Sequence, residues 1–277
     1  MTIKDDGLPN AMGYRLKAEA RVFEIGDWYP GSDYPAVWIT ERVEDLDGNY
    51  LGRTYVMCYP FEDPDEGGWV ALRYGADYYV EGMGYADAAD HQTRIDCFRT
   101  AELLYLHAAE KGNPIAYLNL GYVYSYDRCE GNYYRDWRLC ETEEDYSAPI
   151  PCEERAFECF QKAAYAGVAE GFYKLGDMYK NGVGCEADAR EAFRCYKRAF
   201  DLGKNDDPVV WGSVALRLGD AYENAIGCDQ SFEQALKWYE QAATGLDIAV
   251  RSGEWFYQKA LTSAETGVKR CKQELAG

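Results

Sequence analysis

Residues 156–203 read AFECFQKAAYAGVAEGFYKLGDMYKNGVGCEADAREAFRCYKRAFDLG, and this stretch decides the architecture. Ala156, Phe157, Phe160, Ala163 and Ala164 recur at helical spacing and draw one apolar stripe along a short helix. Leu175, Gly176 and Tyr179 then share one face of a second helix. The first pattern returns as Ala192, Tyr196 and Ala199, so Ala163 to Ala199 is a step of 36 residues. A glycine inside a helix costs ~1 kcal/mol relative to alanine. Gly176 therefore implies a neighbour, expected to be another backbone, too close for a Cβ. Gly167 or Gly203 is expected to end the stripe-bearing helix as a C-cap. Asp188-Ala189-Arg190-Glu191 and Ser231-Phe232-Glu233-Gln234 read as capping boxes that open such helices.

Outward from this stretch the same signals recur. Gly75 with Tyr78, Gly121 with Tyr124 and Gly219 with Tyr222 repeat the pair Gly176–Tyr179. AELLYLHAAEKG and ALKWYEQAATG repeat the stripe. One hairpin of two short helices cannot bury its apolar face alone, so neighbours must stack to complete a core. The expected fold is mainly α: an α/α solenoid of helix-turn-helix repeats.

Lys162-Ala163-Ala164, Gly167, Leu175-Gly176, Tyr179, Gly182-Val183-Gly184, Ala192, Tyr196 and Ala199 together resemble the Sel1-like repeat family, a relative of the tetratricopeptide repeat. The resemblance runs from Trp69 to Gly245 as four repeats, with Tyr74 in place of leucine in the first. It implies a right-handed superhelix and a role as a non-enzymatic interaction scaffold or adaptor. Some members join the two helices of a repeat by a disulfide; the matching positions here are Ala109 with Tyr117 and Ala164 with Phe172, so that bridge is absent. By tetratricopeptide geometry the concave face would carry Tyr122, Glu170, Tyr173, Asp177, Lys180, Asp220 and Glu223. That groove is tyrosine-lined and mostly acidic, which selects a protein or peptide of basic character.

Residues 67–245 are thus the repeats, with an insertion at 125–152. Gly121 to Gly176 is 55 residues, 19 more than the period, and the excess holds Tyr133, Tyr134 and Trp137 beside a run of acids. These aromatics either pack back on the repeats or form an extra recognition surface. Residues 1–66 do not repeat; Tyr14–Phe23, Ala36–Val43 and Leu51–Cys58 are rich in β-branched and aromatic residues. A small N-terminal antiparallel β cap is expected there, with a helix over Tyr14–Phe23 as the competing reading. Asp47-Gly48-Asn49 reads as its hairpin turn; Asp45 and Asp47 open no EF-hand, because the sixth and twelfth positions are Tyr50 and Val56. Residues 246–277 are expected to be capping helices, Asp247–Ala264 and Thr266–Leu275, with Lys269, Arg270 and Lys272 on the polar end.

Among 277 residues, 29 basic and 48 acidic side chains give a net charge of −19. Such a chain repels nucleic acid and anionic membranes. No stretch reaches the ~18 apolar residues of a membrane helix, and the start shows no secretory signal. Ten dispersed cysteines without a C-x-x-C read as reduced thiols in a cytoplasm, with export by a signal-less route as the alternative. Two histidines, His91 in a turn and His107 on a stripe, support neither a poly-His metal centre nor a catalytic set. No metal, cofactor or catalytic residue is expected. Gly182-x-Gly184-x-x-Ala187 mimics a dinucleotide fingerprint but follows a helix, so it reads as the turn inside a repeat. The rival readings are an enzyme or small-molecule sensor with a pocket built by the insertion or the cap, and a bacterial effector or immunity-type protein.

Overall fold

The computed structural model describes residues 15–28, 35–44 and 50–60 as backbone, and residues 67–85, 91–131, 152–203 and 208–277 with side chains (Gln92 as backbone). The chain divides into two compact units, Met1–Cys152 and Glu153–Gly277.

In the first unit, β1 (Arg15–Trp28), β2 (Pro35–Glu44) and β3 (Tyr50–Pro60) form an antiparallel sheet in the order β1-β2-β3. The pairing register shifts between Lys17 and Val22 of β1. The turn read at Asp45–Asn49 lies outside the described residues. Three helices follow: α1 (Trp69–Gly84), α2 (His91–Glu110) and α3 (Pro114–Ser125). α2 packs on both α1 and α3. His91 is the first residue of α2 and does not lie in a turn. Asn113 starts α3 by accepting from the Ile115 amide at 3.1 Å, and its Nδ2 donates to the Gly67 carbonyl at 3.1 Å. Pro114 occupies the first helical position, where no amide is needed.

The second unit runs α4 (Cys152–Tyr165, its first residue preceding the unit boundary), α5 (Ala169–Asn181), α6 (Ala189–Gly203), α7 (Pro208–Asn224), α8 (Phe232–Arg251), a 3-10 turn (Trp255–Tyr257) and α9 (Gln258–Ala276). Consecutive helices from α5 to α9 pack on one another, and one apolar core runs from Tyr173 to Ala264. The helix-period stripe of α6 enters it through Ala192, Tyr196 and Ala199, while α4 buries its own stripe of Ala156, Cys159, Phe160, Ala163 and Ala164, with Ala164 packed on Leu175 and Cys195. Among the described residues, eight cysteines are free; burial, followed by Glu191, pushes the Cys195 thiol up to about 12.

At the recurring Leu-Gly glycine the nearest neighbour is a side chain, where a backbone was expected. A Cβ on Gly176 would lie 2.6 Å from the Tyr196 ring, and one on Gly219 would lie 2.6 Å from the Tyr239 ring. Gly75 meets Tyr105 in the same way, at 2.6 Å. The neighbour is thus the flat ring of the tyrosine on the second helix of the same repeat. Backbone also approaches, as expected: the Cβ site of Gly176 lies 3.1 Å from the Ala192 carbonyl oxygen and that of Gly212 lies 3.0 Å from the Leu246 amide nitrogen, and the approach is closest at the turn glycines. Gly184 (φ 65°) would set a Cβ 2.2 Å from the Glu153 carbonyl oxygen, and Gly227 (φ 71°) would set one 1.9 Å from that of Ala189. Each turn therefore rests on the start of the preceding repeat's second helix, in a conformation open mainly to glycine. The tyrosine three residues after the Leu-Gly glycine also reaches back one repeat. Tyr179 meets Phe157 edge-on at 5.3 Å, and Tyr222 meets Phe193 at 5.3 Å. Such pairs contribute about 0.5–1.5 kcal/mol each beyond the area they bury.

Helix ends differ from expectation in three places. Gly167 is a left-handed C-cap (φ 92°), but Gly203 is the last residue of α6 and packs against Ala169 and Val210. Gly245 ends nothing: its flat surface faces the Trp211 ring, so α8 continues to Arg251 and stops at Gly253 (φ 106°). The final helix accordingly starts at Gln258, not Thr266. The capping boxes are one-sided. Asp188 accepts from the amides of Arg190 and Glu191 at 2.9 and 3.0 Å, while the Glu191 carboxylate pairs with Arg194. Ser231 accepts from the Gln234 amide at 3.2 Å and donates to Glu233.

Candidate functional site

The concave-face residues expected from the repeat divide between the two units. In the second unit the carboxylates are occupied by the fold itself. Asp177, one residue after Gly176, accepts from Arg217 Nε at 2.6 Å, Arg217 Nη2 at 2.5 Å and the Tyr196 hydroxyl at 2.8 Å. Asp220, one residue after Gly219, accepts from the Tyr239 hydroxyl at 2.7 Å. Glu223 shares the single hydrogen of that hydroxyl, 2.5 Å away, and accepts from Arg270 at 2.8 and 2.6 Å. The arrangement is periodic. A first-helix acid accepts from the second-helix tyrosine whose ring covers the glycine, and an arginine from the next first helix, or from α9 after the last repeat, closes the cluster.

The electrostatics follow from this geometry. Burial would depress the Arg217 guanidinium, but the Asp177 bonds outweigh it and hold its pKa above the ordinary arginine value. Burial, followed by Asp177, raises the Tyr196 hydroxyl; burial, followed by Glu223 and Asp220, raises that of Tyr239. Bonds from Arg270 hold the Glu223 carboxyl below the ordinary range, against a smaller opposing effect of burial. Burial, followed by Arg217, lowers the Lys174 ammonium.

Tyr173, expected to line an open groove, is only 6% exposed and belongs to the core of the second unit. The Arg217 guanidinium and the Lys174 ammonium each stand 4.9 Å from its ring centroid, so cations cover the face that a ligand would need. Glu170 accepts from the Tyr173 hydroxyl at 3.3 Å, and Lys180 is exposed near the end of α5. Arg217, Arg270, Tyr196 and Tyr239 were absent from the expected set. The tyrosines carry a signal, since they hold one position in the stripe; the arginines hold no common position and give none.

In the first unit Tyr122 sits in different surroundings. Its ring stacks on Tyr126 at 6.1 Å and 5°. With Tyr79, Tyr105 and Asn119 the pair lines a hollow of about 300 Å³. Tyr126 is 56% exposed. Tyr133, Tyr134 and Trp137 lie outside the described residues.

A second cavity, of about 390 Å³, shares Tyr126 and lies where the ends of α1 and α3 meet the start of α2. The chain after α3 turns sharply. The Arg128 amide bonds the Val123 carbonyl at 3.0 Å and the Asp127 amide bonds that of Tyr124 at 3.0 Å, with Asp127 left-handed at φ 43°. Glu130 is also left-handed (φ 51°). This turn presents Arg128 and Glu130 to the cavity. Glu130 pairs with Arg94 at 2.7 Å and His91 at 3.1 Å. Arg94 Nη2 lies 3.2 Å from His91 Nδ1, on the ring edge away from Glu130. Among the described residues no group of three or more His, Cys, Asp and Glu could hold a metal ion, and no helix is long and apolar enough to cross a membrane.

Comparison with known proteins places the repeat. The family model of the Sel1 repeat matches residues 153–168, 169–204 and 213–245. A curated relative, an uncharacterised Sel1-like repeat-containing protein of Schizosaccharomyces pombe, is 29% identical over 105 residues, or 38% of this chain. The chain spans about 15% of that relative's length. A crystal structure of a Sel1 repeat protein from Oxalobacter formigenes is similar at 21% identity and a TM-score of 0.39, covering 51% of this chain and 88% of that one. A protective antigen present in uropathogenic Escherichia coli strains, displaying an SLR fold, is similar at 16% identity and a TM-score of 0.32, covering 74% of this chain and 61% of that one.

Proposed function

From the Sel1 repeats that this chain carries, we propose that it is a non-enzymatic scaffold or adaptor that holds a partner protein or peptide on its concave helices. Proteins with Sel1 repeats are typically protein-interaction scaffolds. The observation that carries the reading here is the hollow around the stacked Tyr122–Tyr126 pair. It offers rigid aromatic area with polar tips, the surface type that dominates binding energy at protein interfaces. We read the partner segment as one apolar or aromatic side chain seated among these tyrosines and flanked by Lys or Arg, which a chain of net charge −19 attracts. Asp177, Asp220 and Glu223 hold neighbouring repeats in register, while Lys180 and Glu170 border the row. We propose that Tyr133, Tyr134 and Trp137 take part in binding the same partner; the N-terminal sheet caps the first helical hairpin, and the free thiols suit a reducing cytoplasm.

A displayed library of random peptides, selected against the full chain, tests the proposal. Enriched peptides should carry basic residues around an apolar or aromatic one. Their binding should weaken as salt rises and fall at least about tenfold for the Tyr122→Ala/Tyr126→Ala chain. Binding indifferent to both salt and that double substitution refutes the reading.

A further inference from the structure

We propose that the cavity at Arg128 is a binding site for a carboxylate carried on an apolar or aromatic group. The Arg128 guanidinium is half-buried in a cage of three rings, with centroids of Tyr126, Tyr79 and Phe98 at 4.7, 5.5 and 5.5 Å. Tyr79 and Phe98 meet edge-on at 5.3 Å and form one wall. Nε donates to the Tyr79 hydroxyl at 3.0 Å, which fixes the plane of the fork. Neither Nη1 nor Nη2 has a hydrogen-bond or ion-pair partner among the described residues. A planar cation thus presents two parallel N–H donors at a cavity of about 390 Å³, the geometry that a carboxylate answers with two bonds.

The cage also selects against the alternatives. The rings exclude water from the faces of the guanidinium, which strengthens a bond made at its edge. Met83 and Phe98 supply apolar wall for the body of the ligand. Arg94 does not compete for the fork, because Glu130 already holds it. Asp127 and Glu130 stand in the same wall, so a dianion such as phosphate meets two carboxylates where a carboxylate monoanion meets less repulsion. The site does not depend on the tyrosine hollow accepting a peptide.

Calorimetric titration of the full chain with 3-phenylpropionate, its amide and phenyl phosphate tests this. The acid should saturate below about 10 mM, a reasonable bound for so small a ligand, and the amide and the phosphate should each bind at least about tenfold more weakly. Arg128→Lys keeps the charge but loses the fork and should weaken the acid by about tenfold. If that chain unfolds early by circular dichroism, Tyr126→Ala, at an exposed ring of the cage, should give the same direction of change. Two pentapeptides ending in phenylalanine, one with a free terminus and one amidated, separate the sources. Free-terminus binding as tight as that of the small acid assigns the carboxylate to a polypeptide end; binding of the small acid alone assigns it to a free carboxylic acid. Equal binding of acid and amide, tighter binding of the phosphate, no saturation, or indifference to both substitutions overturns the proposal.

Discussion

Gly219→Ala adds one methyl group to the middle of α7, and its effect can be worked from the contacts. The new Cβ would lie 2.6, 2.7 and 2.9 Å from three ring carbons of Tyr239, where carbon atoms normally rest at about 3.5–4.0 Å. The ring has nowhere to go. Its other edge lies 2.6 Å from where a Cβ on Gly267 of α9 would stand, and its hydroxyl is held at 2.7 Å by Asp220 and 2.5 Å by Glu223. Helix propensity favours alanine by ~1 kcal/mol. Overpacking opposes it by about 1–3 kcal/mol, and tipping the ring far enough to relieve the clash weakens the one charge-assisted hydrogen bond its hydroxyl shares between the two carboxylates, a contribution of about 1.5–3 kcal/mol when whole. The net is a destabilisation of about 2–4 kcal/mol, or a fall in Tm of about 6–12 °C for a unit of this size. Far-UV circular dichroism in heat and urea reads it. Gly84→Ala is the control, since nothing lies within 4 Å of its Cβ site; it should be neutral or stabilising by up to ~1 kcal/mol. In a Tyr239→Leu background the alanine at 219 should be much less harmful, a coupling that propensity alone cannot produce. A Gly219→Ala chain as stable as the parent would refute the ring-on-glycine account.

Other expectations follow from the same geometry. Gly227→Ala places a Cβ 1.9 Å from the Ala189 carbonyl at a φ of 71°, so it should destabilise by more than about 3 kcal/mol, read by urea unfolding. Arg270→Met should cost about 1–3 kcal/mol through Glu223, and Lys272→Met, whose pair with Glu240 is exposed, below about 0.5 kcal/mol. The Glu223 carboxyl is lowered in the fold, so its contribution is full above the unfolded value of 4.5 and is lost as pH falls through the folded one. The fall of Tm on acidification should therefore be shallower in Glu223→Gln. Tyr196 and Tyr239 are raised, so their contribution is full below the unfolded value of 10.0 and fades as pH climbs above it. Tyrosinate absorbance should show these two rings ionising only as the second unit unfolds.

Local rules carried the reading of the helices and failed at their ends. Ala156, Phe160, Ala163 and Ala164 are buried because a 3.6-residue period sets them on one face whatever the neighbour. Gly167 and Gly245 look alike in a string, yet one caps a helix at φ 92° and the other lies within one, packed against Trp211 from the preceding helix. The groove fared less well. Position on a helix identified Asp177, Asp220 and Glu223, but their partners Arg217 and Arg270 lie 40 and 47 residues away, at places the repeat does not conserve in register. The Arg128 cage was illegible for the same reason. Its rings come from α1, α2 and the turn after α3, and no spacing links them.

The amino-acid order alone determined that helical hairpins recur, which faces they bury and that another element must sit tight on each Leu-Gly step, since periodicity and steric size are properties of a short segment. Only the tertiary structure decided that the tight element is a tyrosine ring, that the acids are already bound by arginines and that Arg128 faces a cavity. Those outcomes depend on atoms brought together from distant segments, where distance and solvent exclusion, not order along the chain, set the energy.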